Sequence, residues 1–260
     1  MGGQVRIERH GALGWIIFDH AQRRNAITAE MWQAIPPAAQ ALDEDANVRV
    51  VIMRGAGDVA FVSGADISEF AQHRSGVGAE DYDQQNARAF LALARLRKPL
   101  IALIHGFCVG GGCALSLTAD LRYAADDAVF AIPAARLGLG YHTAGLEMLV
   151  NTVGYAAAKE IFFTARRFSA AEALRMGLVN QVVPKAELDD FVQRTADEIA
   201  GNAPLTMRSA KLILGELTKE SAQRDQRAIA ASVSACYASG DYAEGVRAFL
   251  EKRRPEFKGR

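Results

Sequence analysis

The sequence predicts an α/β fold that becomes almost wholly helical in its last third. Three observations carry this. Through the first half, short apolar runs with strand character (residues 5–9, 13–19, 48–54, 100–104, 121–124 and 128–132) alternate with helical stretches. Beyond Pro133 only residues 179–183 read as a strand, while 143–153, 156–163, 170–176, 188–199, 205–239 and 242–252 read as helices. Gly201-Asn202-Ala203-Pro204 is the clearest hinge, dividing a core of residues 1–200 from a helical region of residues 201–260.

The elements follow in order. The first two strands meet at His10-Gly11-Ala12. Thr28 has the side chain of an N-cap, and the helix after it runs to about Asp45 with a kink expected at Pro36-Pro37. The strand at 48–54 ends at Gly55-Ala56-Gly57, and 61–67 reads as a loop. Residues 72–79 are polar and glycine-bearing and read as mobile; 82–96 is helical. The buried strand 100–104 runs into His105 and the turn Gly106-Phe107-Cys108-Val109-Gly110-Gly111-Gly112, and Cys113 opens a helix that ends near Thr118. Glycines at such a junction let another molecule approach bare backbone. The first N–H groups of the helix lack internal partners. With the helix dipole they can hold an anion, or a carbonyl oxygen that becomes negative during a reaction.

Composition narrows the class. The 260 residues suffice for one domain with a large core, and 50% apolar with 23% charged residues is ordinary for a globular chain. Thirty basic and thirty acidic residues balance to zero, which weighs against nucleic acid as the main partner. The basic clusters Arg23-Arg24, Arg166-Arg167 and Lys252-Arg253-Arg254 suit either a phosphorylated small molecule or a solvated face. Three cysteines, Cys108, Cys113 and Cys236, have no metal-ligand spacing and read as reduced buried thiols. The five histidines form no helical chelating pair, so no metal is expected. No apolar run has the length of a membrane span and no signal peptide is evident, so no membrane partner and a cytoplasmic location are expected. The glycine turn is neither a Rossmann fingerprint nor a P-loop, and no Gly-x-Ser-x-Gly elbow occurs.

Several segments, in order, carry a resemblance. Phe61-Val62-Ser63-Gly64-Ala65-Asp66-Ile67 resembles the Phe-x-x-Gly-Ala/His-Asp-hydrophobic loop of the crotonase superfamily, the enoyl-CoA hydratases and isomerases. Lys98-Pro99 through Gly110-Gly111-Gly112 to Asp120 resembles its central signature, and residues 163–174 and 177–184 its downstream one. Arg24-Asn25-Ala26-Ile27 and residues 244–253 extend the likeness over nearly the whole chain. The resemblance implies a crotonase-like spiral of ββα turns followed by a C-terminal helical trimerisation region, hence a homotrimer or a dimer of trimers. It also implies a CoA thioester as ligand and no other cofactor. The family's two oxyanion-hole N–H groups carry over to Ala65 and Gly111. CoA is expected on Arg24, Ala26, the loop Ala65-Asp66-Ile67, and Lys252 of a neighbouring subunit, because its phosphates need cations.

The chain departs from that family at the acid–base positions. The two glutamates of typical hydratases fall on Ala114 and Ala134. Alanine transfers no proton, so neither two-glutamate hydration nor the single-glutamate isomerisation, which uses the second position, carries over. His142, eight residues after Ala134, falls where dienoyl-CoA isomerases and 4-chlorobenzoyl-CoA dehalogenases of the superfamily carry a catalytic aspartate. Tyr141 falls where its methylmalonyl-CoA decarboxylases carry a tyrosine implicated in catalysis, although those have His where this chain has Ala65. Glu69, Glu80, Asp81 and Asp83 are further candidates to reach a pocket; His105, Asp66 and Asp120 read as fixing turns, loops and helix ends. Decarboxylation, a double-bond shift, noncanonical hydration or hydrolysis, and binding without chemistry all stay open. RNA binding, shown by one branch of the superfamily, is disfavoured by the zero net charge.

Overall fold

The strands sort into two sheets that the chain visits alternately. The computed structural model describes residues 2–66, 78–141 and 143–260. The chain opens with β1 (Gln4–His10), β2 (Leu13–Asp19) and α1 (Ala29–Glu44). Three turns of one pattern follow. The first is β3 (Val50–Gly55), β4 (Ala60–Val62) and α2 (Gly78–Ala94). The second is β5 (Leu100–Ile104), β6 (Phe107–Val109) and α3 (Gly111–Leu117). The third is β7 (Leu121–Ala125), β8 (Val129–Ala131) and α4 (Thr143–Thr164), after which comes the short helix α5 (Ala170–Arg175). Among the described residues, one sheet has the order β1-β2-β3-β5-β7-β10, where β10 is Gln181–Val183, and is parallel except for the β1–β2 hairpin. The other has the order β4-β6-β8-β9, where β9 is Phe168–Ser169, with β4, β6 and β8 parallel. A strand of the long sheet, a strand of the short sheet, then a helix, repeated, is the ββα spiral that the resemblance implied.

Alternation along β5 shows how the core is divided. Every residue of β5 is buried. Leu100, Ala102 and Ile104 pack with Val51, Met53, Trp32 and Ile35 on one face of the sheet. Ile101 and Leu103 pack with Val50, Ile52 and the apolar face of α6 (Leu188–Ala200) on the other. A parallel strand covered on both faces is apolar without interruption, which is why residues 48–54 and 100–104 are legible as strands.

Polar groups pin the layers. Asn25, buried and in the left-handed region at φ 56°, donates to the carbonyls of Ala56 (3.0 Å) and Ala60 (2.8 Å) and accepts from His20 N–H (3.1 Å). Lys98, 2% exposed, donates from Nζ to the carbonyls of Leu42 (2.6 Å) and Asp45 (2.5 Å), closing the C-terminus of α1 with a cation. Arg122 reaches from β7 to the carbonyls of Ala119 and Leu178. Thr28 caps α1 as expected, accepting from Met31 N–H at 3.2 Å.

The structure corrects several expectations. The segments at 61–67 and 106–112 are not wholly loop, because β4 and β6 lie within them and β9 completes their sheet. The helix expected after Thr28 is present as α1, which runs through Pro36 and Pro37 to Glu44 as read. The helical stretch 205–239 is divided into α7 (Pro204–Leu217) and α8 (Gln226–Tyr237), the second started by Asp225 accepting from Ala228 N–H. α9 is Gly240–Leu250. The expected break between helices near residue 154 is present, with Gly154 at φ 74°. Residues 67–77, which include most of the stretch 72–79 read as mobile, lie outside the described residues.

Two glycines set the distance between layers. Gly106, at φ 50°, lies against the carbonyl of Val59, and Gly112, in the first turn of α3, lies against the carbonyl of Val62. A Cβ on Gly112 would overlap that carbonyl oxygen and the Val62 side chain. Gly112→Ala is therefore expected to force α3 away from β4 and lower stability by about 1–3 kcal/mol in urea unfolding. An unchanged midpoint would show that α3 has room to move.

Candidate active site

Four hydrogen bonds bring two distant segments together. The N–H of Ser63 donates to Arg24 O (3.1 Å), and Ser63 Oγ to Arg23 O (3.2 Å). Ile27 N–H donates to Gly64 O (2.9 Å), and Asp66 N–H to Ile27 O (2.9 Å). This parallel bridge uses Gly64 O and Asp66 N–H, so the N–H of Ala65 between them points away from Ile27. On the facing segment, Gly110 N–H donates to Ala131 O (2.8 Å), which fixes the entry to α3. Gly111 is the first residue of that helix, where an N–H has no intrahelical acceptor. A Cβ built on Gly111 would stand 3.8 Å from Ala65 N, so the two backbones are neighbours. No acceptor among the described residues takes the N–H of Ala65. Two convergent N–H groups at a helix N-terminus can hold an oxygen on which charge develops.

Both residues line a cavity of about 910 Å³. Trp32 forms part of its wall. Its indole N–H donates to Tyr82 Oη (3.0 Å), and its ring meets Phe90 edge-on at 5.4 Å. Ala114 and Ala134, onto which the sequence resemblance places the glutamates of a hydratase, also line the cavity and are 4% and 3% exposed. Tyr141 lines it half-buried, its ring edge-on to Phe162 at 5.1 Å and close against Gly145.

The remaining expected residues are placed as follows. His142 and Ile67 lie outside the described residues, as do Glu69 and the side chain of Glu80. Ala26 and Asp66 are buried beside the Ile27–Ala65 bridge. Asp83 lines the cavity, and Asp81 is exposed and is not part of the described lining. Arg24 is exposed at φ 51°, its guanidinium 4.6 Å above the Phe107 ring, with that of Arg167 6.0 Å from the same ring. Lys252 is exposed in the turn after α9, away from this cavity's described lining.

His105 and Asp120 have structural partners. His105 Nε2 lies 2.6 Å from Asp189 Oδ2 in the first turn of α6, and Arg54 pairs with the same carboxylate. The His105 hydrogen bond, with Arg54 adding to it, holds the Asp189 carboxyl below its ordinary range. Asp120 accepts from Leu100 N–H (2.7 Å) and Lys211 Nζ (2.7 Å). Burial pushes the Cys108 thiol up, and the adjacent Cys113 raises it further, so Cys108 does not suit a thiolate nucleophile. No cluster of metal-ligating side chains occurs among the described residues, and no helix there is long and apolar enough to cross a membrane. Sequence reading passed over Trp32, Asn86, Glu147 and Asn151, all of which line the cavity. Their signal was present only as residues one turn apart on helices, Glu147 and Asn151 being four apart.

Known proteins of the same shape give this arrangement a family. The enoyl-CoA hydratase/isomerase family profile matches residues 8–260. The crotonyl-CoA hydratase of Syntrophomonas wolfei subsp. wolfei is 34% identical over 253 residues, 97% of each chain. The peroxisomal Delta(3,5)-Delta(2,4)-dienoyl-CoA isomerase of Arabidopsis thaliana is 35% identical, over 97% of this chain and 95% of its own. The crystal structure of an enoyl-CoA hydratase/carnithine racemase from Magnetospirillum magneticum matches with a TM-score of 0.94 at 33% identity, over 98% of this chain and 96% of its own. With the family profile spanning all but the first few residues and the spiral fold shared, the chain belongs to the enoyl-CoA hydratase/isomerase family of the crotonase superfamily.

Proposed function

We propose that the protein binds an acyl-CoA thioester and stabilises its enolate between the N–H groups of Ala65 and Gly111, by a route other than two-glutamate hydration. One observation carries this reading: the neighbouring backbones of Ala65 and Gly111 line a cavity whose wall has alanine at both 114 and 134. Removing one such donor from an oxyanion hole costs about 3 kcal/mol of barrier, so the pair is a large part of catalysis by itself. The enolate still needs a proton carrier. Tyr141, on the cavity wall, and its neighbour His142 are assigned that work. A neutral imidazole is a competent base near pH 7, and a phenol can orient a carboxylate or protonate an enolate.

Two reactions share this intermediate. Loss of CO₂ from a carboxylated acyl group leaves the enolate directly, and the place of Tyr141 favours it. A double-bond shift forms the enolate by proton removal, and the relative named as a dienoyl-CoA isomerase favours that. The CoA phosphates are assigned to Arg24 and Arg167. Their guanidiniums share the Phe107 ring, and neither has a carboxylate partner among the described residues. Ala26, Asp66, Ile67 and Lys252 of a neighbouring subunit complete the assigned contact. The second reading is an acyl-CoA-binding protein without chemistry, favoured by the same two alanines.

Calorimetry is expected to show acyl-CoA binding that weakens when Arg24 is changed to Ala; no binding at millimolar ligand would refute the proposal. Crotonyl-CoA hydration is expected to be very slow and to rise when Ala114 and Ala134 are both changed to Glu, a pair that acts as a unit. On the native substrate His142→Ala is expected to lower the rate by about 10²-fold, and Tyr141→Phe by less. Turnover of no acyl-CoA in a broad panel would leave the binding reading.

The apolar outer face of the last helices points to assembly. Leu214, Leu217, Val233, Val246, Phe249 and Leu250 are exposed on α7, α8 and α9. Such a patch on a lone chain is costly, and we assign it to a trimer, alone or paired into a hexamer. Light scattering at micromolar concentration is expected to give a multiple of three chains, and a monomer would refute this.

A further inference from the structure

With Ala114 and Ala134 on the wall, the cavity has lost carboxylates where a hydratase keeps them. Two others stand on its lining among the described residues, Asp83 on α2 and Glu147 on α4. They differ in what surrounds them. Asp83 already has an interaction of its own. Glu147 has no hydrogen-bond or ion-pair partner among the described residues and stands exposed at the edge of the cavity. A buried carboxylate would need a protein partner, whereas one at a cavity mouth is met by solvent water until a ligand covers it.

α4 turns one face to the cavity. Gly145, Glu147, Met148 and Asn151 all line it, and Tyr141 lines it just before the helix begins. Positions 147, 148 and 151 fall on one side of a helix. Gly145 carries no side chain between Tyr141 and Glu147, so the phenol ring packs directly on the helix backbone. The carboxylate, the Tyr141 phenol and the Ala65 and Gly111 donors thus share one cavity.

We propose that Glu147 is a catalytic carboxylate of this site, the group that takes and returns the carbon-bound proton of an acyl thioester; this rests on the acyl-CoA reading above. The carboxylate removes a proton from the carbon next to the thioester carbonyl. The C–H electron pair moves into the carbonyl–carbon bond, and the carbonyl electrons move onto the oxygen held by Ala65 and Gly111. The neutral Glu147 carboxyl then gives the proton back. Return to the same carbon, after the carboxyl has traded its proton with water, is exchange with solvent, and return two carbons further along an unsaturated chain shifts the double bond. Nothing is oxidised or reduced and no group leaves, so no co-reactant is required. Tyr141 and His142 then serve the oxygen or the second proton position.

The test uses the full chain with 3-octenoyl-CoA and octanoyl-CoA in D₂O. Mass spectrometry follows deuterium uptake into the acyl group, and calorimetry follows binding. Glu147→Gln is expected to slow deuterium uptake about 10²-fold while binding changes less than threefold. Glu147→Ala is expected to regain part of its rate in added acetate, a rescue that a purely structural role would not produce. Exchange by Glu147→Gln at the native rate, or a loss of exchange that acetate does not relieve, overturns the assignment of Glu147 and leaves the enolate reading intact. Native protein that binds both thioesters and exchanges neither overturns the enolate chemistry as well. Native protein that binds neither overturns the acyl-CoA reading itself.

Discussion

The closeness of α3 to the end of β4 is the constraint on which the site depends. Gly112 rests on the carbonyl of Val62, and no other residue fits there without displacing one of the two. That contact brings Gly111 beside Ala65. The same approach ties the second turn of the spiral to the first, because β4 and β6 pair directly below it. The Arg24–Ile27 loop adds the third side through its bonds to Ser63, Gly64 and Asp66. Three segments far apart in the chain are thereby held at one point mostly by backbone contacts. Buried side chains such as Asn25 and Lys98 act one layer back, keeping those segments from drifting.

The parts of this arrangement legible in the sequence are those with a physical signature longer than a few residues. β2, β3 and β5 are covered on both faces and therefore read as unbroken apolar runs. Thr28 is visible as a cap because its hydroxyl has one local task. Of the short sheet only β8 was legible, within residues 128–132; β4, β6 and β9 are two or three residues each, too brief for a period of two to register. The separation of α7 from α8 was hidden because the stretch between them keeps helical composition, and only the Asp225 cap marks the restart. Ala65 and Gly111 were found through ordered motifs, not through periodicity.

Glu147 shows the limit from the other side. A carboxylate on an amphipathic helix is ordinarily a solvated one, and nothing in its neighbours along the chain separates this glutamate from Glu160 on the same helix. Only the cavity distinguishes them. Glu160 is paired with Arg166 on the outer surface, whereas Glu147 faces the cavity without a partner among the described residues. Conversely, the His105–Asp189 pair has the composition of a catalytic dyad. It serves to join β5 to α6, with Arg54 completing the charge balance.

A hole made of main-chain N–H groups is indifferent to which side chain sits above it. At Ala65 any residue except proline would present the same donor, since only proline lacks the hydrogen. In the proposed reaction the electrophilic half of the machinery would therefore be specified by shape, and the proton-moving half by side-chain identity. The two halves can change on separate schedules. Carboxylates can disappear from one wall and serve from another while the oxygen stays where it was, and a scaffold of this kind can pass from one enolate reaction to the next without rebuilding its centre.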